Sequence, residues 1–114
     1  MAVTFDEKRR FPRIRFHAPV RYQIRGFAGF NDTLSQDISL GGISFSNNKF
    51  IPPQTTVALE INVLSRILRA IGKISWSSPL PHSDGYKSGV EFLELVPEET
   101  NYLKDYLAMQ SGNL

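Results

Sequence analysis

From position 20 onwards apolar and polar residues take turns along the chain, and a period of two marks β-strands with one face in water and one in a core. Val20, Tyr22 and Ile24 alternate with Arg21, Gln23 and Arg25, then Leu34, Gln36 and Ile38 alternate with Ser35, Asp37 and Ser39. Gly41 and Gly42 break the second run. A short strand through Ile43 and Phe45 follows, ended by Asn47, Asn48 and the pair Pro52 and Pro53, which are loop chemistry. The plainest strand sets Val57, Leu59, Ile61 and Val63 against Ala58, Glu60 and Asn62. The return run at about 67–76 has no clean phase, because Ile67 and Ile71 oppose Leu68, Ala70 and Ile74, as in a strand partly covered on both faces. After a turn-rich loop at 77–85 containing Pro79, Pro81 and Asp84-Gly85, a last strand is predicted at about 86–93. Pro97, followed by Glu98 and Glu99 where the helix dipole favours acids, starts a helix whose Tyr102, Leu103, Tyr106 and Leu107 share one face.

Six short strands and a terminal helix predict a mainly β fold, a six-stranded antiparallel barrel with a C-terminal α-helix against one end. Closing the sheet on itself removes exposed strand edges. A length of 114 residues provides one core and one domain. Within it, residues 1–17 read as a flexible basic arm and residues 18–114 as the barrel and helix. No apolar run approaches the ~18 residues of a membrane span, and the charged N-terminus has no secretory pattern behind it. The expected setting is cytoplasmic, without membrane insertion. The absence of cysteine excludes disulfides and thiol catalysis.

Charge changes the picture more than composition does. The net charge of +2 conceals opposite ends. Between positions 1 and 25, Lys8, Arg9, Arg10, Arg13, Arg15, Arg21 and Arg25 outnumber Asp6 and Glu7, whereas from 91 to 114 Glu91, Glu94, Glu98, Glu99 and Asp105 outnumber Lys104. A dense, arginine-biased segment is an anion-facing surface or, more plainly, a solvated charged tail.

Two constellations carry candidate chemistry. The first is Lys8-Arg9-Arg10-Phe11-Pro12-Arg13, ahead of the first strand. Guanidinium groups pair bidentately with phosphate oxygens or with the O6/N7 edge of guanine, and they also stack on flat rings, which lysine cannot do. The second is Asp37-Ile38-Ser39-Leu40-Gly41-Gly42, at a strand end entering a tight turn. A carboxylate accepts from the ring N–H and amine of guanine, Ser39 serves base or phosphate, and the glycines admit a sharp turn and a close ligand. Taken alone, the second motif is equally an ordinary serine turn closing a hairpin.

In that order and spacing, Arg9-x-x-x-Arg13 followed by Asp37-x-Ser39-x-x-Gly42 resembles the signature of the PilZ domain family. Trp76 and the stretch Gly89-Val90-Glu91-Phe92 resemble looser features of the same family, so the likeness runs from about Lys8 to Leu95 and implies a single domain over about residues 8–108. The resemblance implies a receptor for cyclic di-GMP, a bacterial second messenger with two guanines and two phosphodiesters. It assigns Arg9 and Arg13 to guanine and phosphate, and Asp37, Ser39 and Gly42 to a guanine held on the barrel, with Arg10 and Gly41 beside them. Ligand would pin the arm to the barrel and alter a surface read by an unidentified downstream protein controlling motility, biofilm or exopolysaccharide. A basic residue in the place of Lys8 is associated in the family with a stacked pair of ligands, so two molecules per chain are expected and no other cofactor.

Other features are weighed against this. Trp76 serves either the core, the commoner fate of a lone tryptophan, or the aromatic wall of the site. His82, Ser83 and Asp84 are catalytic residue types, but sequence neighbours in a loop make no relay, and His17 with His82 is too few for a metal site. The chain therefore reads as a binding module, not an enzyme. Two rival functions are a protein-interaction adaptor that binds no ligand and a barrel for single-stranded nucleic acid, the latter lacking evident exposed aromatics.

Overall fold

The period of two is realised as seven strands, β1 (Ile14–Arg15), β2 (Pro19–Ile24), β3 (Asn31–Ile38), β4 (Gly42–Asn47), β5 (Thr56–Val63), β6 (Arg66–Pro79) and β7 (Tyr86–Leu95), followed by α1 (Pro97–Ser111). The computed structural model describes residues 12–111. All ladders are antiparallel and the order β3-β2-β5-β6-β7-β4 returns to β3, closing a barrel of six long strands. The short β1 pairs with the far half of β3 while β2 pairs with its near half, so β1 and β2 form one path interrupted at residues 16–18. Buried Ser35 fills that interruption: its Oγ accepts from the Ala18 N–H and donates to the Phe16 carbonyl. Ile14 pairs with Ile38 and Phe16 is buried, so the barrel takes up the chain from Ile14 and the arm expected to reach residue 17 stops short of it.

Alternation decides the core where it is regular. Val57, Leu59, Ile61 and Val63 of β5 are buried, as are Leu68, Ala70 and Ile74 of β6, which settles the phase of the ambiguous run with Ile67 outside. Each fully buried side chain of this kind contributes roughly 1.5–3 kcal/mol. In β3 the alternation misleads. Its ladder with β4 shifts register between Ser35 and Asp37, because a bulge at Gln36 adds a residue without crossing to the other face. Ser35 and Ile38 therefore both point inward and Leu34 is 58% exposed, so Leu34 and Ile38 do not share the face that the sequence assigns them.

Across the interior Tyr22 stacks on Phe45 with centroids 4.9 Å apart. Burial pushes the Tyr22 hydroxyl up from its ordinary pKa of 10.0, partly countered by the side chain of Asn47 donating to it. The helix uses the face expected of it. Leu103 is in the core, Tyr102, Tyr106 and Leu107 pack against it, Phe16 meets Tyr106 edge to face, and the Tyr102 hydroxyl donates to the Val63 carbonyl at 3.0 Å.

Candidate functional site

Asp37 is the residue that the β3 bulge turns outward, and Arg13 lies one position before β1. The two meet: Arg13 Nη1 donates to Asp37 Oδ1 at 2.8 Å, with the guanidinium about half exposed and the carboxylate a quarter exposed. Immediately beyond, residues 39–42 form a tight turn between β3 and β4. The Ser39 N–H donates to the Gly42 carbonyl at 2.8 Å, and Ser39 Oγ accepts from the Gly41 N–H at 3.1 Å. The Gly41 carbonyl in turn accepts from the Phe92 N–H, tying the turn to β7. At Gly42 a Cβ would run into the Val90 carbonyl, so glycine here lets β4 close onto β7. The serine turn exists, and the β3 bulge beside it, with the β1–β3 pairing, sets Asp37 next to Arg13.

Register shows which other residues share this surface. Arg15 pairs with Asp37, Asp37 with Ser44, Ser44 with Gly89, and Gly89 with Trp76, making one row across β1, β3, β4, β7 and β6. A further bulge, between Ile74 and Trp76, keeps Ile74 in the core and puts Trp76 outside. Trp76 is 37% exposed, which excludes the core, the commoner of its two readings, and leaves it on the outer surface. Its indole lies over Gly89, in the space a side chain there would fill. Ser44 Oγ, between the two ends of the row, is the only buried side-chain oxygen or nitrogen without a partner among the described residues. A buried hydroxyl left unpaired costs about 1–3 kcal/mol.

The structure thus brings together Arg13, Asp37, Ser39, Gly41 and Gly42, with Trp76 further along the same row. Lys8, Arg9 and Arg10 lie outside the described residues. Ser44 and Gly89 escape sequence reasoning as members of this row: Ser44 is visibly on the outer phase of β4, between Ile43 and Phe45, but its neighbours depend on register across two bulges. On the opposite wall Arg21 sits in a row with Asp32, Glu60 and Arg69, at 3.5 Å from Asp32 and 3.4 Å from Glu60, so its charge belongs to a structural ion-pair ladder. Among the described residues no helix is long and apolar enough to cross a membrane.

The fold is thus a six-stranded barrel carrying an arginine–carboxylate pair beside a glycine turn on its outer face. The PilZ domain family model matches residues 7–109, and the chain belongs to that family. An uncharacterized protein of Aquifex aeolicus is 28% identical over 107 residues, 91% of this chain and 50% of that protein, so the chain spans about half the length of the curated relative it matches. Among solved structures, the Bacillus subtilis inhibitor of motility (MotI/DgrA) superposes with a TM-score of 0.79 at 20% identity, covering 90% of this chain and 51% of that one. The Klebsiella pneumoniae MrkH complex with c-di-GMP gives 0.69 at 16% identity, over 90% of this chain and 51% of that one. The PilZ domain of Escherichia coli YcgR, solved with c-di-GMP, gives 0.58 at 15% identity, over 94% and 99%. These likenesses establish a shared barrel.

Proposed function

We propose that the chain is a receptor for cyclic di-GMP. The observation that carries this reading is the Arg13–Asp37 contact at 2.8 Å beside the turn at 39–42, in a member of a family with structural neighbours solved with that dinucleotide. Arg13 offers planar donors to a phosphate or a guanine edge, and Asp37 offers an acceptor to the guanine ring N–H and amine. The dinucleotide replaces or joins a pair that the protein otherwise makes with itself. Arg9 completes the grip, with Arg10 in support, and Lys8 balances part of the charge of a second stacked molecule, giving two ligands per chain. Fixing the arm at the barrel costs ordering entropy and creates a surface that a downstream protein reads, with motility, biofilm or exopolysaccharide as the output.

Calorimetric titration with cyclic di-GMP tests the reading directly. Saturable heat with two molecules per chain is the expected result. Saturation at one removes Lys8's role in stoichiometry and leaves the receptor; no heat at all removes the receptor.

A further inference from the structure

Resting on the cyclic di-GMP reading, we propose that Gly89 is a positioning residue of the ligand site: its missing side chain seats the Trp76 indole flat on the sheet, as a stacking platform at the far end of the Asp37 row. Three observations meet here. A Cβ at Gly89 would overlap Nε1, Cε2 and Cζ2 of the indole, so the ring rests on the β7 backbone itself. The ring is nonetheless 37% exposed, leaving one surface open to solvent. It occupies the same row as Asp37, with Ser44 and Gly89 between them and neither presenting a bulky group.

Three strand spacings separate Asp37 from Trp76, roughly 14 Å along the sheet. A mononucleotide bound at Asp37 leaves the indole untouched. A ligand carrying two flat rings engages the carboxylate with one and the indole with the other, so the row measures the ligand. The Ser44 hydroxyl, fully buried beside Gly89 and without a partner, lies beneath the surface between these two ends.

The protein has one tryptophan, so its emission reports this ring alone. Gly89→Ala lifts the indole into water: in the free protein its emission moves to the red and acrylamide quenches it more strongly than in wild type. Loss of one base–aromatic stack is expected to weaken cyclic di-GMP, measured by calorimetry, by about tenfold in both Gly89→Ala and Trp76→Ala. The double variant W76A/G89A, from which the overlap is removed, should bind no more weakly than Trp76→Ala, because Gly89 acts only through the indole. If Gly89→Ala does not fold, the double variant beside Trp76→Ala carries the comparison.

Binding by Gly89→Ala equal to wild type overturns the proposal, as does a double variant that loses affinity beyond Trp76→Ala. A flat titration of the wild type itself overturns the receptor reading and the platform together, and is told apart because no variant is needed to see it.

Discussion

Two rows of side chains cross the outside of the barrel, and they are built in opposite ways. Asp32, Arg21, Glu60 and Arg69 alternate in charge across β3, β2, β5 and β6, so each group finds its counter-charge on the neighbouring strand. Arg15, Asp37, Ser44, Gly89 and Trp76 form the other row, in which small residues separate a carboxylate from an indole. The first crosses ladders in unbroken register; the second crosses both ladders adjoining β4 and β7 where a bulge re-aims a side chain. Regular pairing makes a wall whose groups are already satisfied. Irregular pairing turns Asp37 and Trp76 outward, where Asp37 is met by Arg13 from outside the ladder and the Ser44 hydroxyl between them has no partner.

The comparison breaks most visibly at the β3 bulge. Ile38→Ala should cost about 2–5 kcal/mol of stability while Leu34→Ala, four positions earlier, stays within roughly 0.5 kcal/mol. Denaturant midpoints of the two variants check this, and similar losses would mean that the bulge does not exist. Next in size, Arg13→Ala should lower cyclic di-GMP affinity by roughly 1.5–3 kcal/mol, tenfold or more, with the thermal midpoint nearly unchanged, since a half-exposed ion pair contributes little to folding. Gly42→Ala should destabilise by about 1–3 kcal/mol, because a methyl group there meets backbone that cannot move aside without opening the β4–β7 ladder. Amide exchange along 86–95 would localise that opening. Smallest is Glu60→Gln in the charged row: less than about 1 kcal/mol of stability, further reduced by salt, and no change in ligand affinity.

The same contrast explains what could be read in advance. Val57 to Val63 declared both strand and face, because nothing interrupts its period. Asp37, Ser39 and Gly42 were legible as a motif, since a tight turn and its flanking acid are local. Leu34 was given the wrong face, and Trp76 was left open between core and surface, because a bulge shifts phase by a single residue without any composition that announces it. Ser44 and Gly89 form a row only once four strands are in register, and register is a long-range property. The arginine excess overstated the site, because Arg21 is paired to Asp32 and Glu60.

The early start of the barrel sets a tether length. Pairing of Ile14 with Ile38 and burial of Phe16 fix the chain within one residue of Arg13, and five positions separate Arg9 from Ile14. Even fully extended, that stretch spans at most about 17 Å. Arg9 is thus leashed within a radius only slightly longer than the distance from Asp37 to Trp76. If cyclic di-GMP binds the row as proposed, it would meet Arg9 at high local concentration, and inserting residues between Arg9 and Arg13 would lengthen the leash and dilute that encounter without changing the chemistry of either arginine.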